Sequence, residues 1–137
     1  MAKSTGIGMS VTVDNSAGAG KNISNDINAI DVSTPRGVQD ITGLDKAGIE
    51  RILLLADGKV TIKGTFNPTA DKSHDVFKTV PTSSVSRTMV AVVNSTPTAT
   101  LTMELLFSDY AVSRASDGKL TWTATGELAD GVAPVWS

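Results

Sequence analysis

The chain has 137 residues with 12 basic and 14 acidic side chains, a formal net charge of −2, one histidine and no cysteine. This length suits a single domain, predicted to span residues 1–137, with enough chain to bury a core. The near-neutral charge argues against nucleic-acid binding as a main task, because binders use Lys and Arg to displace counterions from phosphates. The lack of cysteine excludes disulfides, thiolate catalysis and Cys-ligated zinc.

Apolar runs in the sequence are short. The longest are Ile52–Ala56 and Met89–Val93, each far below the ~20 residues that cross a bilayer. The N-terminus carries one lysine and no apolar stretch of signal-peptide length. We therefore expect a protein that is made in the cytoplasm without a leader and has no membrane partner.

The first third of the chain, up to residue 48, is rich in Asn, Asp, Ser and Gly. Asp14–Gly20 is typical of a flexible turn. Apolar residues between 23 and 32 are spaced irregularly and indicate an extended strand with a bulge near Asn28. Residues 34–48 are predicted to form a long polar loop, and loops longer than about 12–15 residues are uncommon unless they are functional. This loop is therefore a candidate contact arm.

The middle of the chain predicts a hairpin followed by a short helix. Strands Ile49–Leu55 and Lys59–Phe66 flank Asp57-Gly58, and an Asp-Gly between two β-rich runs is a strong hairpin signal. A helix is then expected with its N-cap at Asp71 or Ser73, ending before Pro81. Its apolar side carries Val76, Phe77 and Val80.

The last part of the chain predicts three strands, Arg87–Asn94, Thr98–Phe107 and Leu120–Leu128, with turns at Ser95–Pro97 and Asp117-Gly118. About seven strands with short turns and one helix favour a mainly β fold. The expected architecture is an antiparallel β-sandwich or barrel-like subunit with one short α-helix on its flank.

The sequence offers few groups for catalysis. Ser73-His74-Asp75 names a catalytic triad only in letters, because adjacent residues point in different directions, and residues at a helix start explain the motif better. A glycosidase pair among Glu50, Glu104 and Glu127 has no aromatic sugar platform beside it. We expect no catalytic residues, no metal ligands and no cofactor.

Polar residues alternate along two of the predicted strands. Exposed threonines fit an ordinary solvated sheet face. The functional alternative is a hydrophilic wall past which a polyanion slides; Lys59 and Lys63 would count against it if they share that wall. The candidate channel-facing residues are Thr100, Thr102, Glu104, Thr121, Thr123, Thr125 and Glu127.

Four segments carry a resemblance to a known family. They are the polar segment Asn22–Asp45 with its Asp-Val-Ser step at Asp31, the strand pair Gly48–Pro68 with G-x-F-N, the helix Ser73–Val80, and Leu120–Trp136 with T-x-T-G-x-L before a short tail. In their order and in overall size, the chain resembles the tail tube (major tail) proteins of long-tailed, non-contractile bacteriophages, in particular those of phages with actinobacterial hosts.

The resemblance implies a sandwich-like subunit that joins copies of itself edge to edge into hexameric rings, which stack into a hollow tube. Inner sheets of neighbouring copies would merge into a barrel around a channel, through which DNA passes without specific binding. Implied partners are further copies, the tape measure protein and tail-end proteins, and the implied location is the virion tail. The N-terminal residues and the long loop match the family's contacts between rings. The inter-subunit residues in that loop are Pro35, Arg36, Gln39, Asp40 and Leu44.

The leading hypothesis is therefore a structural, non-enzymatic virion protein that polymerises into a conduit for DNA ejection. The alternative is a carbohydrate-binding or adhesin-like β-sandwich, which would present a row of exposed aromatic residues that this sequence lacks. A small enzyme on a β scaffold is the third hypothesis, and it would need a cluster of titrating groups.

Overall fold

The computed structural model describes residue 5 and the ranges 7–95 and 98–137. Most of the N-terminal residues assigned to contacts between rings, and the centre of the predicted Ser95–Pro97 turn, lie outside the described residues. Within these ranges a 3-10 helix spans Ser24–Asp26, and one α-helix, α1, spans Ser73–Phe77. The strands are β1 (Ser10–Asp14), β2 (Gly20–Asn22), β3 (Ile27–Ser33), β4 (Arg36–Asp40), β5 (Arg51–Ala56), β6 (Lys59–Thr65), β7 (Arg87–Ser95), β8 (Thr98–Arg114), β9 (Leu120–Leu128) and β10 (Val135–Trp136).

One antiparallel sheet forms the body of the protein, with the strand order β2-β1-β7-β8-β9-β6-β3 and with β10 paired to β8. The long strand β8 joins two halves of this sheet. Its first part, up to Leu105, pairs with β7, and its remainder, up to Arg114, pairs with β9. We call β2, β1, β7, β10 and the first part of β8 the first half-sheet. The second half-sheet is the remainder of β8 with β9, β6 and β3.

The sheet curves around one hydrophobic core, because buried residues from both half-sheets belong to a single cluster. Alternation along the strands decides which residues enter it. The first half-sheet contributes Val11, Val13, Met89, Ala91, Leu101 and Met103, and the second contributes Val60, Ile62, Phe107, Trp122 and Ala124. The mainly β antiparallel fold with one short helix is therefore confirmed.

The helix α1 closes one side of the core. Its Phe77 is fully buried, and the Phe77 ring lies 5.0 Å from that of Phe107 and 5.3 Å from that of Trp122, centroid to centroid. Buried Arg87 on β7 holds the helix against the sheet. Its guanidinium group donates hydrogen bonds to the carbonyl oxygen of Val76 and, at 2.8 Å, to the hydroxyl of Thr79. The helix thus packs through the predicted apolar residues.

The predicted N-cap of this helix is wrong, because no side chain next to the helix provides it. The carboxylate of buried Asp26 accepts a hydrogen bond from the backbone N–H of Ser73 at 3.0 Å and another from the side-chain amide of Asn67 at 2.8 Å. A residue distant in sequence therefore satisfies the helix start, which no local pattern reveals. Asp71 instead takes a left-handed backbone, with φ of 64°.

The predicted hairpin at Asp57-Gly58 is also wrong. β5 pairs with β4 in a separate two-stranded sheet, whereas β6 pairs with β3 and β9 in the main sheet. An Asp-Gly hairpin turn requires a positive φ at its glycine, and Gly58 does not have one. Asp117-Gly118, by contrast, makes the predicted turn between β8 and β9, with φ of 93° at Gly118.

The long loop predicted at 34–48 contains strand β4 and therefore forms half of a β-hairpin. Other boundaries differ less. The bulge predicted near Asn28 is confirmed by a register shift between Ile27 and Ala29. β8 runs on to Arg114, past the predicted end at Phe107. The prediction ended too early because a register shift between Phe107 and Asp109 interrupts the alternation of buried and exposed residues there. β1 was not predicted at all.

Candidate functional site

The arrangement of titratable groups offers no catalytic centre in the part of the chain that the structure describes. The Nδ1 atom of His74 lies 3.0 Å from the hydroxyl of Tyr110, and the carboxylate of Asp75 pairs with Lys78 at 2.7 Å, so Ser73, His74 and Asp75 do not form a triad. The hydrogen bond from Lys78 lowers the pKa of Asp75. These ranges also hold no group of three or more metal-binding side chains. They contain no helix that is long and apolar enough to cross a membrane.

The second half-sheet presents a polar face on the side away from the core. Its residues fall into rows across the four strands, because each lies directly opposite its neighbour in the next strand. The rows are Ser33, Lys59, Glu127 and Leu106; Asp31, Thr61, Thr125 and Asp109; Ala29, Lys63, Thr123 and Ala111; and Thr65, Thr121 and Ser113. We call this surface the polar face.

Charge on the polar face is mixed and slightly acidic. Three carboxylates, those of Asp31, Asp109 and Glu127, stand against two lysines, Lys59 and Lys63, and all five residues are exposed. The two lysines share this face with the predicted threonines, and cationic groups count against a channel past which DNA slides. Lys59, however, lies directly opposite Glu127. The net charge of the face is therefore −1 per copy.

The structure divides the seven predicted channel-facing residues between two places. Thr121, Thr123, Thr125 and Glu127 lie on the polar face, on β9. The other three, Thr100, Thr102 and Glu104, lie outside the core on the first half-sheet, where they are only half-buried. The carboxylate of Glu104 accepts hydrogen bonds from the hydroxyls of Thr88, at 2.7 Å, and Ser86, at 3.3 Å.

The second half-sheet ends in two open edges. Within the described ranges, β3 pairs only with β6, and the part of β8 after Leu105 pairs only with β9. Each edge therefore exposes backbone N–H and C=O groups that another strand can pair with. Sequence reasoning did not identify these edges, because strand order is a long-range property; the family resemblance was the only signal that edges would matter.

Strands β4 and β5, with the turn that joins them, form a hairpin that we call the arm (residues 34–56). Every residue from 33 to 55 is exposed, although many are apolar. The exposed large hydrophobic residues of the arm are Val38, Ile41, Leu44, Ile49, Ile52, Leu53, Leu54 and Leu55. A concentration of exposed apolar side chains on one element marks an interaction surface.

The five predicted inter-subunit residues all lie on this arm and all are exposed. Pro35 precedes β4, and Arg36 donates from its Nε to the carbonyl oxygen of Leu54 at 2.8 Å. Gln39 pairs with β5, and Asp40 accepts hydrogen bonds from the hydroxyl and the N–H of Thr42, which lower its pKa. Leu44 lies in the turn at the tip. The apolar residues of β5, which are the more prominent, were not among the predicted contacts.

An open cleft of about 1350 Å³ lies where the arm meets the C-terminal strand. Its walls are largely apolar and include Leu53, Leu55, Pro134 and Trp136. Half of the Trp136 surface is exposed there. The cleft extends the apolar surface of the arm onto the body.

Comparison with solved structures shows the same fold in another protein. A chain in the tail of an empty gene transfer agent particle, determined by helical refinement with C6 symmetry, superposes with a TM-score of 0.79 over 98% of this chain and 99% of its own length, at 13% sequence identity. A chain in the virion of the native gene transfer agent particle superposes with a TM-score of 0.77 over the same shares, also at 13% identity.

The fold of this chain is similar to a phage tail tube fold. The resemblance noted from the sequence is thus confirmed at the level of fold. The sequence matches no family model and no curated protein, so the solved structures are the comparison that supports the resemblance. Identity of 13% transfers no individual residue, and the polar face, the two edges and the arm have to be interpreted from this chain itself.

Proposed function

We propose that this chain is the subunit of a phage-like tail tube: a structural, non-enzymatic virion protein that assembles with copies of itself into stacked rings. The observation that carries the proposal is the tail tube fold over 98% of the chain. Two features of the isolated copy support it. The second half-sheet has two open edges, and the arm exposes a set of apolar residues that the copy itself leaves uncovered.

Rings follow from the two open edges. Both belong to one four-stranded half-sheet, so a rotation that brings β3 of one copy beside β8 of the next can repeat around an axis. Contacts between different surfaces close into a ring when the rotation closes, and closure leaves no edge unpaired. The C6 symmetry of the related tail suggests six copies in each ring.

The channel follows from the same arrangement. When six half-sheets close into a barrel, the polar face lines its bore, because the other face packs on the core. Threonine hydroxyls and an excess of carboxylates give DNA no cationic surface to bind, so DNA passes during ejection without specific contacts. Of the seven residues predicted from the sequence, we assign only Thr121, Thr123, Thr125 and Glu127 to this bore.

The arm supplies contacts beyond the ring. Its apolar residues lose contact with water if they pack against a neighbouring ring, and the cleft beside Trp136 offers a matching apolar surface on the body. The tape measure protein and the tail-end proteins would be further partners in a virion tail, where we place the protein.

Negative-stain electron microscopy of the purified protein at high concentration tests the proposal. We expect rings about as wide as a tail tube, and tubes as the concentration rises. A dispersed monomer at every concentration would contradict the proposal. Affinity of such a monomer for glycans would instead support the carbohydrate-binding alternative.

A further inference from the structure

The two open edges of the second half-sheet have side chains and backbone groups that complement each other. The N–H of Phe66 bonds to the carbonyl of Leu120, and that of Leu128 bonds to the carbonyl of Gly58. Even-numbered residues of β9 therefore form backbone hydrogen bonds with β6. In an antiparallel ladder the direction of these bonds alternates along each strand. The odd-numbered residues of β6 therefore bond to β3, and the odd-numbered residues of β3 bond to β6. It follows that Ile30 and Val32 direct their backbone groups outward from β3.

The same alternation applies at the opposite edge. The N–H of Ala115 bonds to the carbonyl of Lys119, so odd-numbered residues at this end of β8 bond to β9. Tyr110 and Val112 consequently direct their backbone groups away from β9, toward the open side. Each edge thus presents donors and acceptors at every second residue.

The residues with outward backbone groups also carry the apolar side chains. Ile30 and Val32 lie opposite buried Ile62 and Val60, and Tyr110 and Val112 lie opposite buried Ala124 and Trp122, so all four side chains are on the core side. They are incompletely covered: Val112 is 47% exposed. Small or polar residues alternate with them on the polar face: Ala29, Asp31, Ser33, Asp109, Ala111 and Ser113.

We propose that β3 of one copy pairs antiparallel with β8 of the next copy in the ring, with Ile30 opposite Val112 and Val32 opposite Tyr110. This inference rests on the proposed function, since it assumes a rotationally symmetric ring. Rotation about the ring axis preserves strand direction. Strands alternate within the half-sheet, so β3 and the neighbouring β8 run in opposite directions.

Side-chain direction restricts the register. A slip by one residue would turn the apolar side chains of β3 to the polar face, so Asp31 has to face an odd-numbered residue of β8. With Asp31 opposite Asp109, two carboxylates would lie side by side, which destabilises a strand pair. With Asp31 opposite Ser113, Tyr110 would lie opposite Thr34, beyond the end of β3. With Asp31 opposite Ala111, both apolar pairs form.

Cysteine cross-linking tests this register in the whole 137-residue chain, which has no cysteine of its own. In the proposed register, Asp31 and Ala111 of neighbouring copies form a pair with Cα atoms about 4.5 Å apart, because they do not share hydrogen bonds. That distance suits a disulfide. We expect the double variant Asp31→Cys and Ala111→Cys, oxidised after assembly, to give a ladder of covalent oligomers that reductant abolishes.

Matched variants distinguish the alternatives. Asp31→Cys alone gives no ladder, because the two edges of the contact differ. Asp31→Cys combined with Val112→Cys also gives none, because the two side chains point to opposite faces. A ladder from Asp31→Cys with Asp109→Cys or with Ser113→Cys, rather than with Ala111→Cys, would overturn the register.

The unmodified protein provides a second measurement. Amide hydrogen exchange should slow on assembly in β3 and in the last part of β8, and not in β9, which is already paired on both sides. Rings or tubes that form without protection at these edges and without any ladder would overturn the edge pairing and leave the tail tube proposal intact. If even the unmodified protein forms no rings or tubes, both the edge pairing and the tail tube proposal are overturned.

Discussion

The body and the arm use similar residues for opposite purposes. In the body, Leu101 on β8 is completely buried, and the alternating pattern of its strand places every second side chain in the core. On the arm, Leu55 is 91% exposed, and apolar residues follow one another without alternation from Ile52 to Leu55. Burial in the body stabilises the single copy, whereas the exposed side chains of the arm contribute no such free energy to it. Sequence hydrophobicity alone does not separate these two roles.

The largest change in the free energy of unfolding is expected at a tightly packed glycine of the body. A Cβ atom at Gly64 would lie 1.7 Å from the carbonyl oxygen of Asp26, so Gly64→Ala must displace β6 from the segment that caps helix α1. We expect a loss of at least about 4 kcal/mol in the free energy of unfolding, in the range reserved for severe core disruption, or failure to fold. Urea unfolding followed by circular dichroism measures it.

Gly48→Ala on the arm is the matched control, because a Cβ atom there meets nothing within 4 Å. This variant should unfold within about 0.5 kcal/mol of the unmodified protein. Equal stability of the two glycine variants would contradict the close approach of β6 to Asp26.

A pair of leucine variants separates the two roles of apolar residues. Leu101→Ala creates a cavity in the core and should cost about 2–5 kcal/mol in the free energy of unfolding. Leu55→Ala should leave the stability of the single copy within about 0.5 kcal/mol. If the arm packs on another copy, however, that variant should raise the concentration needed for tube formation by roughly tenfold or more, since burying one leucine contributes about 1.5–3 kcal/mol.

Denaturation of the dissociated protein and sedimentation of the tubes check the two halves of this prediction. Leu55→Ala tubes that form at the same concentration as unmodified tubes would show that Leu55 lies outside any interface. The comparison between arm and body would then need another explanation for the exposed residues of β5.

The sequence was sufficient for the elements whose pattern is local. Alternation identified β6, β7 and β9, irregular spacing located the bulge near Asn28, and Asp117-Gly118 gave the β8–β9 turn. Prediction from the sequence failed where the pairing partners of a strand are distant along the chain. Asp57-Gly58 looks the same in sequence as Asp117-Gly118, but Gly58 is in a different setting: it is buried and has no positive φ, and a Cβ atom there would lie 2.6 Å from the sulfur of Met103.

The candidate site was likewise predicted only in part. Alternation correctly placed seven polar residues outside the core, but it does not tell which half of a curved sheet each belongs to. The open edges of β3 and β8 result from strand order, which depends on contacts between residues far apart in sequence. Residues 34–48 of the arm were expected as a polar loop, because their glycines and charges hid the pairing of β4 with β5.

Tyr110 lies where the body meets one of the open edges, and it gives a pH-dependent prediction. Burial raises its pKa from 10.0 to about 12. Between those values the folded protein holds the phenol proton more tightly than the unfolded chain does. This contribution to stability is therefore complete below about pH 10 and is lost as the pH rises toward 12.

The variant Tyr110→Phe checks that prediction. The slope of the free energy of unfolding against pH should be less steep for this variant than for the unmodified protein in this range. Tyr110 is the only tyrosine, so phenolate absorbance reports its titration directly. A phenolate that forms near pH 10 in the folded protein would contradict the burial of this ring.

The smallest effect on stability, and the most specific effect on function, is expected at the polar face. Glu127→Lys changes the charge of this face from −1 to +1 per copy, repeated around every ring. The new lysine lies opposite Lys59, and a like-charge pair at an exposed strand position costs at most about 1 kcal/mol. The variant should still form tubes. These tubes should retain short double-stranded DNA at low salt and release it as the salt concentration rises, because the new lysines displace counterions; in a particle, DNA delivery should slow.

Glu104→Lys makes the same charge change on the first half-sheet, away from the proposed bore, and serves as the matched comparison. Co-sedimentation of fluorescent DNA with the tubes measures both variants. If only Glu127→Lys tubes carry DNA, the second half-sheet lines the channel. If only Glu104→Lys tubes carry it, the bore lies on the other half of the sheet, and the division of the seven polar residues has to be reversed. The assignment therefore depends on which half-sheet faces DNA, because both variants carry the same charge change.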